Sequence, residues 1–201
     1  MRSPGLAPRR RSSWVAPSSR PVVIIDCENG LRTVSNRLQL VGHPAVDYYM
    51  ARSADLGSRD GLRALGNISS TVRPVIILDS LIGLHRIDED KAAEVRQFVS
   101  GIRQVGEETG ATVIGLTHDN RGGNMRGSLD WRNAVDTVLE LRKDGAGWRT
   151  LKVADRRNGA EGDSVMFRFG GGPNGELELI TTAGPNPGQV PSPSWRRSWS
   201  S

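Results

Sequence analysis

Three short stretches end in side chains able to handle metal ions and phosphate. Val22–Ile25 runs into Asp26, Cys27, Glu28 and Asn29, Val75–Leu78 runs into Asp79 and Ser80, and "TVIGL" runs into Thr117, His118, Asp119 and Asn120. A carboxylate just past an apolar run can polarise a water, and a second can hold Mg²⁺. A hydroxyl or imidazole beside them can steady the ion or contact phosphate. Two chemistries fit this set. In the first, Asp79 holds Mg²⁺ largely through water with Ser80 beside it. Glu28 then orients the water that attacks a nucleoside triphosphate, and His118 senses the γ-phosphate. In the second, Asp26, Asp79 and Asp119 share a divalent metal and cut a phosphodiester.

Either chemistry requires the three tips to lie on one rim, which a parallel sheet provides at the carboxyl ends of its strands. The pattern alternates as such a sheet demands. A strand over 22–26 precedes a helical stretch, "LRTVSNRLQLVG", that stops at Gly42. A short strand at "VDYYM" and a polar helical segment from Ser58 to about Leu65 follow. "PVIILDS" is apolar throughout, as expected of a parallel strand covered on both faces. The clearest helix runs from about Asp90 to Thr109, where Val95, Phe98, Val99, Ile102 and Val105 form one apolar stripe. Asp88 and Asp90 stand where a cap and a first-turn acid belong, and Gly110 stands where a glycine ends a helix. "ATVIGLTHDN" reads as a third buried strand. Beyond Val135 the texture changes to strand–turn–strand: "AVDTVLELRKDGAGWRTLKVADRRNG", then "DSVMFRF" and "ELELITT". The expected fold is α/β: a mostly parallel sheet flanked by helices, with antiparallel strands added at the C-terminal side.

Charge is divided unevenly along the 201 residues. The net charge is +5, yet residues 1–20 hold five arginines and no acid, and residues 183–201 add Arg196 and Arg197. The segment between is close to neutral, so the basic character belongs to the ends. Both ends are rich in Pro and Ser and without period, and read as a disordered leader (1–20) and tail (183–201) around a core of residues 21–182. The single cysteine, Cys27, excludes an internal disulfide and a multi-cysteine zinc site and fits a reducing, cytoplasmic setting. No apolar run reaches the roughly 20 residues of a membrane span.

Taken in order, "VVIIDCENG", "VIILDSLIGLH", "TVIGLTHDN", "MRGSLDWRNAVDTVLELRKDG" and "LKVADRRNGAEGDSVMFRF" resemble the RecA-like P-loop ATPase core over residues 21–170. The branch is that of hexameric replicative helicases and small helicase-like AAA-family ATPases. The resemblance implies ATP and Mg²⁺ as cofactors and a role in DNA replication, helicase action or recombination. It implies Glu28 as catalytic carboxylate, Asp79 as Walker B aspartate with Ser80 beside the nucleotide, and His118 as sensor. Arg157 matches the arginine that such rings extend across a subunit boundary, although Asp155 stands where a lysine is common. The Gly-rich loop "HDNRGGNMRGS" places Arg121 and Arg126 where relatives contact nucleotide or single-stranded DNA.

One part of the family pattern is missing. The phosphate-cradling G-x-x-x-x-G-K-[ST] should precede Val22, yet the first lysine in the chain is Lys91. The reading is therefore an ATPase core without its Walker A segment, a fragment or a chain with little hydrolysis alone. It would work as a homo-oligomeric ring or beside a P-loop-bearing partner. Two alternatives stand beside it: a metal-dependent nuclease of the PIN/NYN kind, whose "IDGEN" opening "IDCEN" resembles, and a non-catalytic partner subunit of a complete ATPase.

Overall fold

The computed structural model describes residues 20–40, 46–69, 73–118, 130–157, 164–171 and 177–183. Asp119, Asn120, Arg121 and Arg126 lie outside these, as do nearly all of the leader and tail.

β1 (Val22–Asp26), β2 (Val46–Met50), β3 (Val75–Asp79) and β4 (Thr112–Gly115) form one sheet in the order β2-β1-β3-β4, every neighbouring pair parallel. α1 (Leu31–Leu40), α2 (Arg59–Ser69) and α3 (Ala92–Thr109) connect them in turn. Burial along β1 and β3 alternates. Val23, Ile25, Ile76 and Leu78 point into the core against Leu65 of α2 and Val95, Phe98, Val99 and Val105 of α3. The opposite face is only half covered, so β3 is not enclosed on both sides as its apolar run implied. β4 departs further. It is the last strand of this sheet and largely exposed, because no described strand pairs with its outer edge.

The helix ends show which local signals were obeyed. Ser58 caps α2 by accepting the Gly61 N–H at 3.0 Å while its own hydroxyl donates to the Asp55 carbonyl at 2.7 Å. α3 stops at Gly110 in the left-handed conformation, φ 68°, as its position predicts. Its start differs from expectation. Lys91 occupies the N-cap without a side-chain cap bond, and Glu94 is the first-turn acid, reaching back to the Asp88 N–H at 2.8 Å. Asp88 instead accepts the Asp90 N–H at 3.1 Å in a tight turn ahead of the helix.

A short α4 (Asp130–Ala134) packs Trp131 against both Phe98 and His85, tying this layer to the rest of the chain. Beyond it β5 (Thr137–Lys143), β6 (Arg149–Arg156), β7 (Ser164–Gly171) and β8 (Leu177–Ala183) form a second, fully antiparallel sheet. Asp144 makes the β5–β6 turn by accepting the Ala146 and Trp148 N–H groups, each at 2.9 Å, around Gly147 at φ 84°.

Candidate functional site

The register of the parallel sheet sets the site. β1 and β3 align so that Asp26 stands directly beside Asp79, and both strands end on the same rim as β4. Just past β1 the chain turns. Asp26, 2 % exposed, accepts the N–H groups of Glu28 at 2.7 Å and Asn29 at 2.9 Å on one carboxylate oxygen. Its other oxygen accepts the Asn29 amide at 2.8 Å and the Tyr48 hydroxyl from β2. Burial alone would raise the Asp26 pKa, but these hydrogen bonds outweigh it and hold the carboxyl below its usual range. Burial, together with the bond to Asp26, raises the Tyr48 phenol in turn.

The turn fastened by Asp26 presents Glu28. The buried Ser80 hydroxyl donates to one Glu28 oxygen, and His118 Nε2 lies 3.8 Å from the other. Asp79 sits between with no hydrogen-bonded side-chain partner among the described residues. Its pKa is raised, first by burial and then by the charges of Asp26 and Glu28, against weaker opposing effects of His118 and Arg37. Cys27 lies beneath, its amide donating to the Asp79 carbonyl at 2.9 Å and its thiol 3.6 Å from the carbonyls of Asp79 and Ser80. Burial raises the thiol pKa, which suits packing rather than nucleophilic attack.

Among the sequence-derived candidates, Glu28, Asp79, Ser80 and His118 therefore share one rim. Arg157 does not touch it. Its N–H bonds the Asp136 carbonyl at 3.0 Å, and its guanidinium lies 3.2 Å from the Asn133 carbonyl and 3.7 Å from Asp136. Arg126 falls outside the described residues. The residue whose part was not anticipated is Tyr48, seen in the sequence only as an aromatic in a short strand.

The donor set suits Mg²⁺ better than a self-sufficient metal cage. No cluster of three or more ligating side chains occurs among the described residues. Mg²⁺ is commonly held by one or two carboxylates with water and substrate phosphates completing its shell. Asp79, without a hydrogen-bonded side-chain partner among the described residues and pressed by neighbouring negative charge, is the carboxylate a cation would relieve.

A four-stranded parallel sheet thus carries three polar strand tips on one rim and is followed by antiparallel strands. Residues 7–124, more than half of the chain, match the family model described as AAA domain, and the chain belongs to that family. Among solved structures it is similar to the crystal structure of the RadB recombinase, at 17 % identity with a TM-score of 0.51, over 79 % of this chain and 80 % of that one. No curated protein matches.

Proposed function

We propose that the rim is the carboxylate half of an ATP-hydrolysing site. Glu28 orients and polarises the attacking water, Asp79 with Ser80 positions the magnesium that accompanies the triphosphate, and His118 contacts the γ-phosphate. When bound, Mg²⁺ would neutralise charge on the transferred phosphoryl group. Ser80 holds Glu28 by one oxygen and leaves the second turned toward His118. That placement, beside an Asp79 with no hydrogen-bonded side-chain partner among the described residues, is the observation that carries the reading. The same reading gives Arg157 a part across a subunit boundary in a ring, and gives Arg121 and Arg126 contact with nucleotide or single-stranded DNA. A nuclease built on Asp26 is disfavoured, because both of its oxygens are already engaged by the turn and Tyr48.

The test uses Mn²⁺–ATP as a paramagnetic stand-in for Mg²⁺–ATP. Amide resonances of Glu28, Asp79 and His118 broaden in the purified chain, and Asp79→Asn removes the effect. Glu28→Gln keeps the broadening but lowers phosphate release by about 10²–10³-fold, the scale of losing one preorganised catalytic group. Absence of broadening at the rim, or a Glu28→Gln variant that hydrolyses at the wild-type rate, overturns the assignment.

A further inference from the structure

Asp26 and Asp79 stand side by side, yet their oxygens are used differently. The register pairs them across β1 and β3, and Tyr48, aligned with Ile24, lies on the neighbouring β2. Ile25 and Leu78 point into the core, so the residue after each falls on the opposite face of the sheet. Two acids so placed can share a divalent cation. After burial, the charge of Asp26 is the largest influence raising Asp79, and a cation between them would relieve both. Asp26 is closed to such a cation. Its four donors, the Glu28 and Asn29 N–H groups, the Asn29 amide and the Tyr48 hydroxyl, match the roughly four acceptor positions of a carboxylate. Three of these belong to the turn that Asp26 itself fastens. Tyr48 is the exception, because it comes from another strand. β1 and β2 are already joined along Val22–Asp26 and Val46–Met50, and the Ala51 N–H adds a bond to the Asp26 carbonyl at 2.8 Å. Neither the turn nor the strand pairing depends on the phenol.

We propose that Tyr48 reserves the metal for Asp79. Its hydroxyl occupies the Asp26 oxygen that would otherwise complete a two-carboxylate cation site, so the divalent ion enters with nucleotide phosphates rather than ahead of them. This inference rests on the ATPase reading and specifies how that site selects its cation. One carboxylate beside the Ser80 hydroxyl is a weak Mg²⁺ site until substrate phosphates add their oxygens. Two carboxylates would hold the ion without nucleotide. The ion would then draw Asp26 away from the Glu28 and Asn29 amides, and Glu28 would lose the turn that presents it. Burial, with the bond to Asp26, raises the Tyr48 phenol, so the hydroxyl stays protonated and remains a donor. Phenylalanine would fill the same space without one.

The probe is Mn²⁺ alone, without nucleotide, read by broadening of the Glu28 and Asp79 amide resonances. Wild type shows no broadening at the concentration at which Mn²⁺–ATP broadens the rim. Tyr48→Phe broadens at Mn²⁺ concentrations about tenfold or more below those wild type requires, the scale on which a metal site responds to the hydrogen-bond partners of its ligands. Adding Asp79→Asn to Tyr48→Phe removes the gain, and so does adding Asp26→Asn. Unchanged amide resonances of Ile76 and Val95 in the core report that each variant is folded. If Tyr48 is only a tie between strands, Tyr48→Phe lowers the urea midpoint and binds Mn²⁺ as wild type does, which overturns the proposal. Broadening of wild type by Mn²⁺ alone to the degree seen in Tyr48→Phe overturns it too, as does a gain that survives loss of either carboxylate. The two levels fail separately. If Mn²⁺–ATP broadens the wild-type rim while Tyr48→Phe gains nothing, this inference falls and the ATPase reading stands. If Mn²⁺–ATP leaves the rim unbroadened, the ATPase reading falls and takes this inference with it.

Discussion

At the scale of single residues, Asp26 is the fastener and Glu28 the group it presents. Four donors converge on the buried Asp26 carboxylate. Asp26→Asn leaves two of them facing an amide that cannot accept as many bonds, a loss of about 1–3 kcal/mol at neutral pH, read as a lower urea midpoint. The folded pKa of Asp26 lies below the ordinary aspartate value. Its contribution is therefore full above that value and lost as pH falls through the lower folded pKa. The gap between wild type and variant should narrow in strong acid and stay constant above about pH 5. Glu28, Asp79 and Ser80 were legible in the sequence because each sits at or just past the end of an apolar run. The Tyr48–Asp26 bond was not, because it joins two neighbouring strands and local periodicity carries no information about which side chains meet across a sheet.

At the scale of elements, α2 contains two glycines with opposite consequences. A Cβ at Gly61 would overlap the Asp55 carbonyl in the capping turn, whereas Gly66 has open space around it. Gly61→Ala should destabilise by about 1–3 kcal/mol through forced displacement of backbone. Gly66→Ala should stabilise by up to about 1 kcal/mol through helix propensity. Thermal unfolding of the two variants would show the opposite signs. Helix and strand order followed the sequence closely because periodicity and caps such as Ser58 and Gly110 act locally. β4 did not follow it. An apolar run reports that a strand suits burial, but whether another strand lies beside it is decided elsewhere. The start of α3 departs from the sequence pattern for a related reason: Asp88 and Asp90 are good cap residues, but Glu94 reaches back to the Asp88 N–H and the cap position falls to Lys91.

At the scale of the whole molecule, His85 joins the site-bearing sheet to α4. It follows the short 3₁₀ turn Leu81–Leu84 and packs 4.9 Å from Phe98 and 5.6 Å from Trp131, ring centre to ring centre. Neither ring nitrogen has a hydrogen-bond partner among the described residues, and burial lowers the pKa, opposed by the nearby charges of Glu89 and Asp55. The unfolded chain thus takes up a proton more readily than the folded one, and stability falls as pH drops below about 6.5. His85→Phe should flatten the change in urea midpoint between about pH 7.5 and 5.5, and Glu89→Gln should steepen it. The sequence foretold a parallel core and a change to antiparallel strands after Val135. The described strands form two separate sheets rather than one extended sheet, because β4 and β5, the strands flanking the change, do not pair with each other.

The in-register pairing of β1 with β3 has a consequence for which changes of length the chain tolerates. Since Asp26 and Asp79 face each other by strand alignment alone, a change of length outside the paired strands leaves the distance between the two acids undisturbed. One residue inserted within Val22–Asp26 would turn Ile25 outward and shift the Asp26 turn out of step with Ser80. Natural drift in this chain should therefore accumulate between its strands and leave these two segments at constant length.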